Sequence, residues 1–393
     1  MKEPPRTTIT LLAQIVNLID RHAFQEIVNE LEADKYSKGY TAWDQLIWML
    51  LCQLGDCHSI RDISNILASL QGNLNHLKLS RPPSKSTIAY QNSKRSSDVF
   101  KRLYFKLRAL LGQQQGIRGT LPCLHRKINL LDSSTITLPL NAFPWASYTS
   151  EKGAIKLHTL LSFEQQMPSS IRISTGKMPD CKAAHKMNIP SESIVVADRG
   201  YMDFKLLEKW RKEKVIFVVR HKDDIEYESI MEHDLPEEDD QHILMDETIA
   251  MRGCNSTAYG DILRRVVAYN EQHGYSVQLL TNDFKLDAAQ IAELYRVRWN
   301  IEVFFKQVKQ TLYIKSFIGT SPNAVLSQVW TSMIAILLLK FLKLKAKVKW
   351  SLSNMVTLLR MSLLRHVDLW EWLGMAFRRA RAPENVLKEG YLF

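Results

Sequence analysis

Two apolar, β-branched runs, each carrying one aspartate, constrain the fold of this chain more than any other feature. Residues 127–140 surround Asp132, and residues 193–201 contain an apolar stretch that ends at Asp198, before an Arg-Gly pair. Uninterrupted Ile, Val and Leu runs of this length are typical of strands buried on both faces, as in a sheet covered by helices. The sequence therefore predicts an α/β fold with one carboxylate inside a buried strand and one at a strand end.

Each aspartate alone has a simpler interpretation. A carboxylate inside a buried strand is unfavourable unless something pairs it, but Asp132 could be a hydrogen-bonded polar group at a strand break. The end of a strand in an open α/β sheet is where ligands bind, but Asp198 before Arg-Gly could be a turn former. The ordered combination with a third carboxylate downstream is what indicates a functional site.

That third carboxylate is Glu302. On one continuous helix across residues 286–313, which we expect here, Tyr295, Arg298, Glu302 and Lys309 would share a stripe roughly 60° wide. Such a face suits a metal beside a phosphate backbone, because carboxylates bind the metal and cations bind phosphate. The alternative is an amphipathic surface helix in which Arg298 and Glu302 form an i,i+4 pair.

The charge distribution indicates an acidic partner. The net charge is +11, and residues 71–127 carry twelve Lys or Arg against one acid, Asp98. A basic tract of this length suits a polyphosphate backbone, although a solvated surface or an RNA or membrane contact would also fit. Within it, a helix beginning near Thr87 and capped by Ser84 or Ser86 would carry a polar set suited to a DNA groove: Tyr90, Gln91, Asn92, Lys94 and Arg95.

Other features exclude several classes of protein. The five cysteines form no CxxC pair and no zinc-site spacing, which suggests free thiols in a reducing cytoplasm. No secretory signal is expected at the N-terminus. The apolar stretch Val329–Leu339 is too short to span a bilayer and predicts a buried helix, so we expect no membrane partner.

Strand and helix patterns divide the chain into five predicted regions. A hairpin of strands at Lys156–Leu161 and Ile171–Ser174, then a crossover and the parallel strand Ile194–Ala197, is the order of an RNase H-like core. The regions are a helical DNA-binding domain (1–122, ending in a linker at 113–122), the first part of the core (123–214), a β-rich insertion (215–285), the second part of the core with the helix of Glu302 (286–345), and C-terminal helices (346–393).

These residues together resemble a known family. The chain is similar to the DDE transposases of bacterial insertion sequences, in the branch marked by Tyr-x2-Arg-x3-Glu-x6-Lys, the insertion-sequence-four family. Tyr295, Arg298, Glu302 and Lys309 fit that spacing, and Asp132 and Asp198 match the two aspartate motifs. Further resemblance lies in the family's second strand (residues 153–159, with Lys156 and His158), in a β-rich insertion between the second aspartate and the glutamate, and in a helical N-terminal domain (residues 11–110).

The resemblance implies a DNA substrate and a reaction course. Water would cut the phosphodiester at a transposon end, and the released 3′-hydroxyl would join target DNA, with a hairpin intermediate in some members. Tyr295, Arg298 and Lys309 would hold the phosphates of the end. The partners would be double-stranded DNA, as terminal inverted repeats and target, and a second copy of the chain, since C-terminal helices help family members to dimerise on DNA. The expected location is the bacterial cytoplasm, with the nucleoid.

Three carboxylates at one point repel one another unless cations neutralise them. Mg²⁺ or Mn²⁺ prefers oxygen ligands, and two such ions can activate the attacking oxygen and stabilise the leaving one. We expect Asp132 to bridge two ions, with Asp198 and Glu302 each holding one. Two alternatives stay open: an inactive DNA-binding transposase relic, and a metal-dependent nuclease on the same core without strand transfer.

Overall fold

A computed structural model describes most of the chain in side-chain detail. The described residues are 6–55, 57, 59–70, 72–114, 126–221, 225–235, 242–253, 257–270, 274–311, 317–346 and 350–375. The linker predicted at 113–122 lies almost entirely outside them, as do two of the cysteines, Cys123 and Cys254.

Six helices form the N-terminal region, and several begin at a side-chain cap. Asp20, Ser59 and Ser84 each accept hydrogen bonds from backbone N–H groups of the following turn, which satisfies donors that a helix start leaves free. Ser84 is therefore the cap of the helix predicted near Thr87. The helices are α1 (Leu11–Val16), α2 (Arg21–Glu30), α3 (Ala42–Gly55), α4 (Ile60–Ser69), α5 (Lys85–Lys94) and α6 (Asp98–Gln114).

One nine-stranded, mostly antiparallel sheet forms the rest of the fold's framework. The strand order across it is β3-β2-β1-β4-β5-β9-β8-β7-β6, and β1, β4 and β5 are mutually parallel. The strands are β1 (Ile128–Pro139), β2 (Lys152–Ser162), β3 (Met167–Thr175), β4 (Ile194–Ala197), β5 (Ile216–Arg220), β6 (Tyr227–Glu232), β7 (Ile243–Met251), β8 (Leu263–Asn270) and β9 (Tyr275–Thr281).

Among the described residues, seven further α-helices follow the first strands. Two short ones lie between strands, α7 (Asp180–Ala184) and α8 (Phe204–Lys212). The remaining five follow the last strand: α9 (Ala288–Arg296), α10 (Trp299–Thr311), α11 (Pro322–Lys345), α12 (Leu352–Ser362) and α13 (Leu369–Gly374). The mixed α/β class predicted from the buried apolar runs is confirmed.

The two faces of the sheet are buried in two separate cores. Alternate residues of a strand point to opposite faces, so Leu130 and Val196 join the larger core and Leu131 and Ala197 the smaller one. The larger core contains the N-terminal helices, α9 to α13 and one face of the sheet. The smaller core lies under α8. Asp132 and Asp198, which follow Leu131 and Ala197, therefore belong to the larger-core face.

The β-rich segment after the second aspartate extends the same sheet. Within residues 215–285, which are predicted to be β-rich, the described residues form five strands, β5 to β9. β5, which the sequence analysis placed in the insertion, pairs in parallel with β4. It is thus the last parallel strand of the core, and β6 to β9 continue the sheet beyond it by antiparallel pairing.

The single helix predicted for residues 286–313 is wrong in one respect. The structure has two helices, because α9 ends at Arg296 and α10 begins at Trp299. The Asn300 side-chain amide donates to the carbonyl of Val297 at 2.7 Å, and so occupies an acceptor that a continuous helix would use. Arg298 therefore lies in the turn between the helices. The start of α9 does match expectation, with Asp287 and Gln290 forming a capping box.

The apolar stretch Val329–Leu339 is confirmed as part of a buried helix, although α11 is longer than predicted. By length and composition α11 could cross a membrane, yet 89% of its most apolar window is buried inside the protein. It packs against α3, α5 and α6 of the N-terminal region and against α12. Its apolar character is therefore explained by its place at the centre of the larger core.

Candidate active site

Strand register brings the two predicted aspartates together. In the parallel pair of β1 and β4, Leu131 is opposite Ala197, so Asp132 and Asp198 occupy the next matching position. Neighbouring strands lie about 4.8 Å apart, and both residues follow the same alternation onto one face. Asp132 in β1 and Asp198 at the carboxyl end of β4 are thus adjacent carboxylates.

The electrostatics of Asp132 show that the third carboxylate is also near. Burial, together with the negative charges of Asp198 and Glu302, raises the pKa of Asp132 to about 7. A hydrogen bond from the Ser133 N–H at 2.7 Å and the charge of Arg298 act in the opposite direction. A bound cation would relieve the repulsion between these like charges, which disfavours ionisation of Asp132.

Three further predicted residues lie in or beside the turn between α9 and α10. An Arg298 Nη2 donates to Glu302 Oε1 at 2.8 Å, and the Arg298 guanidinium lies 5.5 Å from the centre of the Tyr295 ring. Burial lowers the pKa of Arg298, but Tyr295, Glu302 and Asp132 raise it by more. The i,i+4 pair of the simpler interpretation is therefore present, and it lies beside Asp132 rather than on open surface.

An open cavity of about 430 Å³ lies beside these groups. It is lined on one side by β1 and on the other by α10: Asp132, Ser133, Ser134, Glu302, Phe305, Lys306 and Lys309. Lys309 thus shares a cavity with two of the three carboxylates. Two acids and two lysines around one opening suit an anionic substrate that enters together with a metal ion.

The donor chemistry fits a divalent cation, but the side chains are not gathered around one point. Asp132 Oδ1 accepts from Ser133 N, Asp198 Oδ1 accepts from Gly200 N at 2.8 Å, and Glu302 accepts from Arg298. Among the residues that the structure describes, no three acids, histidines or cysteines form a ready metal cluster. Carboxylate oxygens that repel one another around Asp132 fit Mg²⁺ or Mn²⁺. Binding of such an ion would require the side chains of Asp198 and Glu302 to turn towards Asp132.

A second polar network lies on the other face of β1. Lys156 Nζ donates to both oxygens of Asp180 at 3.1 Å, and His158 Nδ1 lies 3.3 Å from Asp180 Oδ1. Burial alone would raise the pKa of Asp180, but hydrogen bonds from His158, Ser133 and Lys156 lower it to about 2. Sequence reasoning missed Asp180, since only the pairing of β1 and β2 places Ser133 opposite His158.

The predicted DNA-facing set on α5 is only partly available to a ligand. Tyr90 is 62% exposed and Lys94 is exposed, which agrees with the prediction. Asn92 and Arg95 are buried, and for them the prediction is wrong. Asn323 donates to the carbonyls of both residues. The Arg95 guanidinium donates to a cage of acceptors in the N-terminal helices and loops: Ala33 O, Asp34 Oδ1, Tyr40 O, Thr41 O and Gln45 Oε1.

Comparison with known proteins is consistent with this geometry. A family profile described as "Transposase DDE domain" matches residues 124–338, more than half of the chain. A second profile, described as a domain of unknown function (DUF4372), matches residues 7–78. The DDE match covers β1 to β9 and the helices up to α11, and so includes all three carboxylates.

Several curated relatives carry transposase names. The chain is 29% identical over 270 residues to a Geobacillus stearothermophilus protein named "Probable transposase for insertion sequence element IS5377", which covers 68% of this chain and 70% of the relative. Two others bear provisional transposase names. One is y4zB of Sinorhizobium fredii, 28% identical over 66% of this chain and 71% of the relative. The other, from Synechocystis, is assigned to insertion sequence element IS4SA, 24% identical over 73% of this chain and 80% of the relative.

Proposed function

The chain belongs to the DDE transposase domain family of insertion sequences, and from that premise we propose that it binds the ends of a transposon, cuts the DNA backbone and joins the 3′-hydroxyl ends to target DNA. Family membership implies phosphodiester cleavage and transesterification. The observation that supports this reaction at the present site is the matching register of Asp132 and Asp198, with Glu302 close enough to disfavour ionisation of Asp132.

Asp132, Asp198 and Glu302 would hold the divalent cations that the reaction needs. When bound, Mg²⁺ or Mn²⁺ supplies charge neutralisation at the reacting phosphate. Asp132 is central and its two acidic neighbours flank it after β4 and on α10, so these three residues would define where the cations lie. The Arg298–Glu302 ion pair would open as Glu302 turns to a cation, and this would free the Arg298 guanidinium for phosphate.

Tyr295, Arg298 and Lys309 would bind the phosphates of the transposon end. Arg298 Nε is buried and has no hydrogen-bond partner among the described residues. A buried unpaired donor is costly, and a phosphate oxygen is an acceptor of the right charge. This open donor, one turn from Glu302, supports the assignment to the branch with the Tyr-x2-Arg-x3-Glu-x6-Lys spacing.

The strand order supports an RNase H-like core. An antiparallel β3-β2-β1 set followed by parallel β4 and β5 is the order expected of that fold, with β6 to β9 as the insertion before the glutamate. On this basis the proposed organisation has five regions, with β5 counted in the core: 1–122, 123–220, 221–285, 286–345 and 346–393. The partners would be terminal inverted repeats, target DNA and a second copy of the chain, in the cytoplasm of a bacterium.

The test is cleavage of end-sequence DNA by the full chain, with and without Mg²⁺. We expect a metal-dependent cut that Asp132→Ala, Asp198→Ala and Glu302→Ala each abolish, with DNA binding retained. The control is Glu293→Ala, since Glu293 lies outside the cavity and pairs with Arg296. Wild-type cleavage by any one of the three variants would remove that residue from the site.

Two further measurements separate the alternatives. An inactive relic would bind end DNA without a metal-dependent nick, and a nuclease would cut it without giving joined products in a strand-transfer assay. Arg298→Ala should weaken binding of end DNA and abolish cleavage. The matched control is Arg296→Ala, because Arg296 is exposed and precedes Arg298 by two positions. Equal affinities of the two variants for end DNA would exclude the phosphate role of Arg298.

A further inference from the structure

A second cleft, of about 520 Å³, has four basic residues among the seven that line it. Lys177, Lys182, Lys186 and His185 surround it, together with Thr175, Met178 and Pro179. All three lysines are exposed. In the part of the chain that the structure describes, none of the three ammonium groups forms an ion pair, whereas Lys156 and Lys209 nearby are paired. The cleft therefore keeps its positive charge.

Two acids near the cleft, Asp180 and Asp203, do not neutralise it. Asp180 is held by Lys156 and His158, which turn its carboxylate into the network behind β1. Asp203 accepts from the Leu206 N–H at the start of α8 and pairs with His185 at 3.3 Å. Of the charged groups facing the cleft, only His185 has an acidic partner. An anion entering the cleft would meet three free cations.

The cleft lies at the same edge of the sheet as the candidate active site. β3 runs parallel to β1, since both pair antiparallel with β2, so its end at Thr175 lies towards the carboxyl edge. α7 packs against residues 199–201, the turn that follows Asp198. The cleft thus lies near the turn that follows Asp198, on the side of the sheet opposite α10.

Internal bonds hold the wall of the cleft in place. Lys156 Nζ, which is paired with Asp180, also donates to the carbonyl of Met178 at 3.5 Å. Lys209 Nζ donates to the carbonyl of His185 at 2.7 Å. The buried His158 ring bonds Ser174 at 2.9 Å, in the strand that leads into the cleft. Lys156 and His158 therefore act as supports for this wall, and their side chains point away from Asp132.

We infer that this cleft binds the phosphodiester backbone of a DNA segment. The segment would lie beyond the scissile phosphate, on the side away from α10. The inference rests on the proposed function. A strand held by Arg298 and Lys309 on one face of the sheet would pass Asp132 and Asp198 and reach the lysines in and beside α7 on the other face. Flexible ammonium groups suit a backbone contact without sequence preference. The segment could be donor DNA flanking the end or target DNA, which share this chemistry.

The test compares the full-length wild type with the triple variant Lys177→Gln, Lys182→Gln, Lys186→Gln on three DNA probes. The first is an end duplex that stops at the cleavage junction, the second continues into flanking DNA, and the third is unrelated target duplex offered to the end complex. Binding is measured over a range of salt concentrations. The matched control is Lys285→Gln, Lys343→Gln, Lys345→Gln, which removes three exposed lysines outside both cavities.

Each lysine that neutralises a phosphate adds about 0.9 to the slope of log affinity against log salt. We expect the triple variant to lose roughly 2 to 3 in this slope, and roughly 10- to 100-fold in affinity at low salt, on the flanked or the target probe but not on the junction probe. Loss on the flanked probe identifies donor flank, and loss on the target probe identifies target DNA. The control variant should match wild type.

Two results would overturn the inference. One is a triple variant that binds all three probes with wild-type slopes. The other is an equal loss on the junction probe, which would mean general DNA attraction. Failure of the proposed function gives a different result, since the wild type itself would then neither prefer end duplex nor cut it.

Discussion

Asp132 is an acid whose ionisation depends on its neighbours. Its pKa of about 7 lies above the ordinary value of 3.8, first because of burial and then because of Asp198 and Glu302. Between these two values the folded protein holds a proton that the unfolded chain has lost. The stability contributed by this proton is fully present below about pH 4 and is lost as the pH rises through 7.

Asp132→Asn should therefore stabilise the metal-free protein at pH 8 and have little effect near pH 4. Each pKa unit corresponds to about 1.4 kcal/mol, so the difference from wild type should grow by about 2 kcal/mol between pH 5 and 8. Urea unfolding at several pH values measures it. Glu151→Gln, at an exposed acid, should show no such trend.

The same variant also tests the proposed metal. Adding Mg²⁺ at pH 8 should raise the free energy of unfolding of the wild type, because a ligand that binds only the folded state stabilises it. The rise should be much smaller in Asp132→Asn. An equal rise in both proteins would place the bound cation elsewhere.

Arg95 illustrates where residue-level sequence reasoning fails. It follows a helix of exposed polar residues in a basic tract, and nothing local distinguishes it from Lys94. Burial lowers its pKa, and Asp34 and Tyr40 partly offset that effect. Its acceptors come from residues 33–45, some fifty to sixty positions earlier. A charge that the local sequence predicts to contact DNA instead joins two parts of the N-terminal region.

At the scale of elements, the insertion determines how α9 is placed. Arg264 of β8 makes two bonds to the Asp246 carboxylate, at 2.8 and 2.7 Å, and both side chains are buried. The same guanidinium donates to the carbonyl of Leu286, just before the capping box at Asp287. α9 then runs from the edge of the sheet at Leu286 towards the edge at Asp198, where it ends beside Arg298. The insertion thus fixes the start of the helix that presents Arg298.

Arg264→Met should lower the free energy of unfolding by about 3 to 5 kcal/mol, because it leaves Asp246 buried without a partner. The double variant Arg264→Met, Asp246→Leu should recover much of that loss. Urea unfolding gives the coupling between the two sites, and cleavage of end DNA reports the position of α9. Simple additivity of the two single variants would show that the buried pair is not coupled.

At the scale of the whole molecule, one core joins the N-terminal helices to the catalytic sheet. α11 packs against α3, α5 and α6, and the larger core includes residues from Leu11 to Leu373. Asn323, near the start of α11, also bonds Asn92, Ser97 and Arg95. A DNA segment bound by the N-terminal region would therefore be held at a fixed position relative to Asp132.

We predict that residues 126–393 do not fold stably without the N-terminal helices. Their removal would expose the apolar surface of α11, and hydrophobic burial is the main favourable contribution to folding. The expected result is loss of a cooperative urea transition, with recovery when residues 1–125 are supplied as a separate fragment. A fragment 126–393 with a wild-type unfolding midpoint would contradict the prediction.

The sequence by itself determined the strands that carry Asp132 and Asp198, the helical surroundings of Glu302, the basic charge and the family. These features depend on local patterns: apolar runs, capping residues and fixed spacing. The tertiary structure alone decided the rest. Strand register made the two aspartates neighbours, the pairing of β1 with β2 put Lys156 and His158 behind the site rather than in it, and packing turned Arg95 inward. These outcomes depend on contacts between residues far apart in the chain, which local patterns do not encode.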